Sequence, residues 1–146
     1  MNETCERLAR ILGEIPARLV QIPEDAAGVR PSPGRWCKKE ILGHLIDSAA
    51  NNHQRFVRGQ LAPALEIPSY EQDDWVTAQG YAAEPWPDVL NLWLLYNRHI
   101  LHILRRLPEG ALANPCTIGD DPAVPLAEVA SSYVDHLEHH LDQILG

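Results

Sequence analysis

Apolar residues recur at helical spacing in four stretches of this chain, with polar residues filling the other faces. The first stretch runs from about Thr4 to Ile22, with Leu8, Ile11, Leu12, Ile15, Leu19 and Ile22 on one stripe. Pro16 falls inside it and is expected to kink the helix or leave its first half less regular. A second helix is expected from Cys37 to about Gly59. Its opening "CKKE" has capping-box spacing, with Glu40 at the third helical position and cysteine where serine or threonine would normally stand. The third opens at "PWPDVLNLW", with Pro87 suited to a first turn, and runs to Leu107. It is apolar almost all round, so it is expected to be the most buried. The fourth runs from about Ala123 to Leu145. No segment alternates convincingly as a strand, and there is no internal repeat. The pattern predicts an all-α protein, a four-helix bundle about 30 Å long.

The connections are uneven. Residues 61–84, "LAPALEIPSYEQDDWVTAQGYAAE", link helices two and three, and a hairpin between antiparallel neighbours needs far fewer. Such a crossover can run the length of the bundle and let helices two and three lie parallel. Tyr70, Trp75 and Tyr81 are expected to pack it down.

Length and charge narrow the class. A chain of 146 residues reads as one domain, residues 1–146, able to bury roughly two-thirds of its unfolded surface. Twelve Lys and Arg against 20 Asp and Glu give a net charge of −8. Nucleic-acid phosphates and anionic membrane would be repelled, and a small-molecule substrate is the expected partner. The polar start "MNETCERLARIL" reads as no signal peptide, and no apolar run approaches the ~20 residues of a bilayer span. Cys5, Cys37 and Cys116 are odd in number and form no CxxC pair, so reduced thiols and a cytoplasmic location are expected.

The fourth helix ends "HLEHHLDQIL". On a wheel with His136 at zero, His140 lies at about 40°, Gln143 at about −20° and His139 at about −60°. His136 and His140 therefore border the apolar stripe one turn apart, a spacing that can present two imidazoles to one ion. Two ordinary border histidines would look the same. A zincin site is excluded, because Leu137 stands where its glutamate must be. The second helix, "KEILGHLIDSAANNHQRF", opposes its apolar face with a stripe of His44, Asp47, Ser48, Asn51 and Arg55. That stripe is either the wet side or the lining of a polar cavity with His44 as a ligand. His53 projects into the apolar face and reads as a hydrogen-bonded core histidine. His99 and His102 form an i, i+3 pair with no third ligand in an obvious position.

Together these segments resemble the DinB-like superfamily of metalloenzymes, in its short single-domain form. The resemblance rests on "PSPGRWCKKEILGHLIDSAANNHQRF" with Trp36, His44, Asp47 and Arg55, on "YEQDDW" in the crossover, and on the closing "HLEHHLDQI". It implies a bundle with parallel second and third helices. It also implies a divalent metal, zinc or nickel, held by His44, His136 and His140. His139 matches no ligand position. Cys37 departs from the serine common at that cap; it is either a packed, inert thiol or one activated by the helix N-terminus.

Two chemistries follow from that resemblance. In a hydrolase, metal-bound water attacks an electrophile and Asp47 manages protons. In a transferase, the metal activates the thiolate of a low-molecular-weight thiol. A non-enzymatic, metal-stabilised module that forms homodimers is the third reading. Asp47, three residues after His44, either orients that imidazole or is an exposed neighbour. Gln143 shares the face of the histidine pair and is expected to bond a ligand or the substrate. Arg55 lies about 16 Å beyond His44 along the helix and is assigned to an ion pair or a contact with the crossover. Asp73, Asp74 and Trp75 would cover the pocket mouth or lie on a plain surface loop.

Overall fold

The stripe of Leu8, Ile11, Leu12 and Leu19 is buried on helix α1, Asn2–Leu19, in the computed structural model, which describes residues 1–146. The helix continues through Pro16, because tertiary burial of the stripe outweighs one missing N–H. It ends earlier than the stripe suggests: Gln21 and Ile22 donate to Arg18 and Leu19, tightening the chain out of α-geometry. A single turn, α2, Glu24–Ala27, follows. Its Glu24 carboxylate bonds Lys39 and accepts from the backbone N–H of Trp86 at 2.7 Å, fastening this loop across the bundle end.

Helix α3, Lys38–Leu61, starts where the capping box placed it. The Glu40 carboxylate accepts from the Cys37 N–H at 2.9 Å and pairs with Arg30. Helices α5, Trp86–Arg105, and α6, Leu126–Leu145, complete the bundle. Directions follow from cross-contacts. Lys39 donates to the Glu84 carbonyl just ahead of α5, while His53, further along α3, meets Tyr96 further along α5. Those two helices therefore run parallel. Lys38 instead reaches the Ile144 carbonyl at the far end of α6, so α6 runs antiparallel to α3. Arg7 ties α1 to α6 through Asp135 and Glu138 at 2.7 and 2.6 Å.

Two expectations are corrected. Short strands do exist: β1, Leu65–Ile67, pairs parallel with β2, Pro115–Ile118, and β2 pairs antiparallel with β3, Val124–Pro125. Segments of two to four residues are too short to alternate visibly, and the pairing of β1 with β2, such as Leu65 with Cys116, is long-range. The residues before Leu126 thus belong to a strand rather than to the fourth helix. Nor is α5 the most buried helix. Thirteen of the 24 residues of α3 are buried, against eight of 20 in α5, whose Leu92 and Leu95 are exposed. The cause is the crossover. Its helix α4, Gln72–Gln79, and the 3-10 turn Tyr81–Ala83 lie on α3, whereas α5 packs chiefly on α1 and α3.

Tyr81 is the buried anchor of that crossover. Gly43 makes this possible, because a Cβ there would fall inside the Tyr81 ring. Trp75 stays 38% exposed, with Tyr70 packed against it. No helix is long and apolar enough to cross a membrane.

Candidate metal centre

Burial decides between the two readings of the polar stripe on α3. His44, Asp47 and Ser48 are 1%, 2% and 3% exposed, so the first part of the stripe is interior, while Asn51 and Arg55 are half-buried. The antiparallel pairing of α3 with α6 carries His136 and His140 to the same level. Ligand atoms of His44, His136 and His140 all lie within 4.8 Å of one another. The three rings meet edge to face, with centroids 4.5–4.8 Å apart. Trp36, ahead of the Cys37 cap, lies over the His44 ring at 5.1 Å.

The imidazoles are held so that lone pairs converge. Nε2 of His44 and Nε2 of His136 are 2.9 Å apart. Two lone pairs at that distance repel unless a proton or a cation lies between them. Gln143 donates through Nε2 to His139 and accepts through Oε1 from Nδ1–H of His140 at 2.8 Å. That arrangement leaves the His140 Nε2 lone pair free for the cluster. Ser48 Oγ stands 3.4 Å from Nδ1 of His136 and orients it more loosely. Burial, reinforced by the facing imidazoles, pushes His44 down to about 3 and His136 to about 4, and lowers His140 as well. All three are therefore neutral at physiological pH. Three neutral nitrogens on a scaffold of packed helices fit a divalent cation and would leave it positions for water or substrate.

The other predicted residues fall as follows. Asp47 turns to the crossover rather than to His44. Its Oδ1 accepts from Gln79 Nε2 at 2.6 Å and from the Tyr81 hydroxyl at 2.7 Å. Its Oδ2 and the Nδ1 of His44 are both buried without a protein partner. Burial raises the Asp47 pKa while Gln79 and Tyr81 oppose the rise. His139 is exposed outside the cluster. Arg55 forms no ion pair; it reaches only Asn52 Oδ1 at 3.4 Å. His53 bonds the Tyr96 hydroxyl at 3.0 Å and packs edge-on against His99, away from the centre. The Cys37 thiol is buried, and burial pushes its pKa up. Sequence reasoning passed over Tyr81 and Gln79 as partners of Asp47, because no local spacing links them to it.

Two hollows flank the histidines. One of about 340 Å³ is bounded by Trp36, Asp73, His140 and Gln143, so Asp73 does stand at a mouth of the site. The other, of about 230 Å³, lies beyond His136. A larger hollow of about 800 Å³, between the start of α1 and the end of α5, is remote from them.

The family model of the DinB superfamily matches residues 7–144. The chain belongs to the DinB superfamily. A protein of Bacillus subtilis (strain 168) named "Putative metal-dependent hydrolase YfiT" is 26% identical over 149 aligned residues, covering 98% of this chain and 83% of its own length. The solved structure of YfiT from Bacillus subtilis, described as "a probable metal-dependent hydrolase with an unusual four-helix bundle topology", superposes with a TM-score of 0.83 at 21% identity. That match covers 99% of this chain and 85% of the other. The crystal structure of a mycothiol-dependent maleylpyruvate isomerase superposes with a TM-score of 0.80 at 11% identity. This DinB chain spans 60% of that one, with 98% of its own residues covered. At these identities both structures speak to the fold alone.

Proposed function

We propose that this DinB protein is a metal-dependent hydrolase acting on a small molecule, with His44, His136 and His140 holding a divalent cation, zinc or nickel. The observation that carries the reading is the convergence of three neutral imidazoles from two antiparallel helices, His44 buried and His136 and His140 half-buried. A divalent cation in such a set lowers the pKa of bound water towards ~7 and polarises a carbonyl oxygen. Gln143 holds His140 in its metal-facing tautomer, and Ser48 does the same for His136. Asp47 is a positioning residue: through Tyr81 and Gln79 it seats the crossover against α3, beside His44. No fourth protein donor joins the histidines, which favours an open, reactive centre over a closed structural one.

A second reading, transfer of a low-molecular-weight thiol, is favoured by the two separate hollows, one beside His140 and one beside His136. They suit two substrates meeting at one metal.

The test is the metal content of untagged protein by plasma mass spectrometry, for wild type, His44→Ala, His140→Ala and His139→Ala. Near-stoichiometric metal is expected in wild type and His139→Ala and not in the other two. Wild type that stays metal-free when offered zinc or nickel overturns the reading. Loaded protein is then screened against esters and amides, with and without a small thiol. Turnover that requires the thiol selects the second reading.

A further inference from the structure

Beyond Ser48 the interior stripe of α3 continues to Asn52 and Arg55, and the cavity of about 230 Å³ opens along it. His136 stands at its wall, with Tyr70 from the crossover, Ile118 from β2 and Val129 from α6. Arg55 is anomalous here. Its Nε is buried with no hydrogen-bond partner, and its one bond to Asn52 is long. No carboxylate pairs with it, in a chain carrying 20 acidic residues. Arg55 is half-buried, and its Nε is cut off from water without a counter-charge, which is costly for a charged group. Desolvation accordingly opposes its charge. Such a cost is met when a ligand supplies the missing anion.

We infer that this cavity takes the carboxylate of the substrate, with Arg55 as its paired N–H donor and the reacting end beside His136. The substrate class is then a small organic acid whose electrophilic centre lies a few bonds from its carboxylate. A planar guanidinium fork matches a carboxylate in two parallel hydrogen bonds. Arg55 is the single Lys or Arg in the lining, and its planar fork matches one carboxylate. Ile118 and Val129 suit the hydrocarbon that joins the two ends. The inference rests on the metal-centre reading for the chemistry at His136, but carboxylate binding by Arg55 is measurable separately.

The ¹⁵N-labelled full chain is titrated with butyrate, with butyramide as its neutral isostere, and with inorganic phosphate, followed by NMR. Wild type, Arg55→Lys and Arg55→Met are compared, and zinc per chain is measured on the same samples. Butyrate is expected to shift the Arg55 Nε–H and the Ile118 and Val129 amides saturably, with butyramide and phosphate weaker by about tenfold or more. Arg55→Met should lose the preference for butyrate, and Arg55→Lys should keep part of it. Equal binding of butyrate and butyramide by wild type overturns the inference, and that comparison stands even if Arg55→Met does not fold. Butyrate shifts that persist in Arg55→Met place the carboxylate elsewhere and also overturn it. Stronger binding of phosphate overturns the substrate class. Failure with full zinc leaves the metal centre standing. Arg55-dependent binding by protein that takes up neither zinc nor nickel upholds the carboxylate site and removes the metal reading instead.

Discussion

His44 on α3 and His136 on α6, 92 residues apart in the chain, face each other Nε2 to Nε2 at 2.9 Å. That one contact requires the antiparallel pairing of two helices, the burial of a polar stripe and a ring orientation set from behind. Each requirement can be tested separately.

Burial should make metal-free protein acid-sensitive in a window that His44 defines. Its folded pKa is about 3 against an ordinary 6.5. Between those values the unfolded chain binds a proton that the folded chain refuses. Stability therefore falls as pH drops below 6.5, by about 1.4 kcal/mol per pH unit for each histidine kept neutral. Thermal melts of chelator-treated protein from pH 7.5 to 5 should show this slope, and His44→Asn should lessen it while His136 and His140 keep their shares. An identical slope in that variant would contradict the assigned burial effect.

Gln143 should matter to the metal and His139 should not. Removing the partner that orients His140 is expected to weaken metal binding about 10–100-fold in Gln143→Ala. Competition with a chromophoric chelator would measure it. His139→Ala should stay within about twofold of wild type, because His139 only receives the far end of the Gln143 amide. Equal losses in both variants would count against the assigned geometry.

The Tyr81–Gly43 contact should hold the crossover in place. Gly43→Ala drives a methyl into the Tyr81 ring, and overpacking of this kind costs about 1–3 kcal/mol. Tyr81→Phe removes a donor to Asp47 without the clash and is expected to cost about 1–3 kcal/mol through the unsatisfied buried carboxylate. Denaturant melts would compare the two. If both variants match wild type, the crossover is not fastened through Tyr81.

All three thiols should be silent in the native protein. Cys5, Cys37 and Cys116 are buried, and burial raises the pKa of each. Ellman's reagent should therefore react with none rapidly in buffer and with three per chain in denaturant. Fast labelling of one native thiol, lost in Cys37→Ser, would restore Cys37 as a reactive group.

Local pattern carries the parts of this protein whose physics is local. The amphipathic stripes of α1 and α6, the Glu40 cap of α3 and the one-turn spacing of His136 and His140 are set by residues three or four apart. The length of residues 61–84 likewise announces the parallel course of α3 and α5, since a short hairpin would forbid it. The motif resemblance then named the three histidines, His44, His136 and His140, that the packed helices bring together.

Other features depend on which surfaces meet, and no stretch of sequence states that. The stripe of His44, Asp47 and Ser48 reads equally as wet or buried until the crossover and α6 close over it. The apolar surround of α5 reads as core, yet Leu92 and Leu95 remain in solvent because no element covers that side. Asp47 bonds Gln79 and Tyr81, 32 and 34 residues away, rather than the nearby His44. The strands exist only through each other. Periodicity along one helix determined which residues share a face; the packing of distant segments decided which faces lost their water, and so where three imidazoles and one unpaired arginine came to lie.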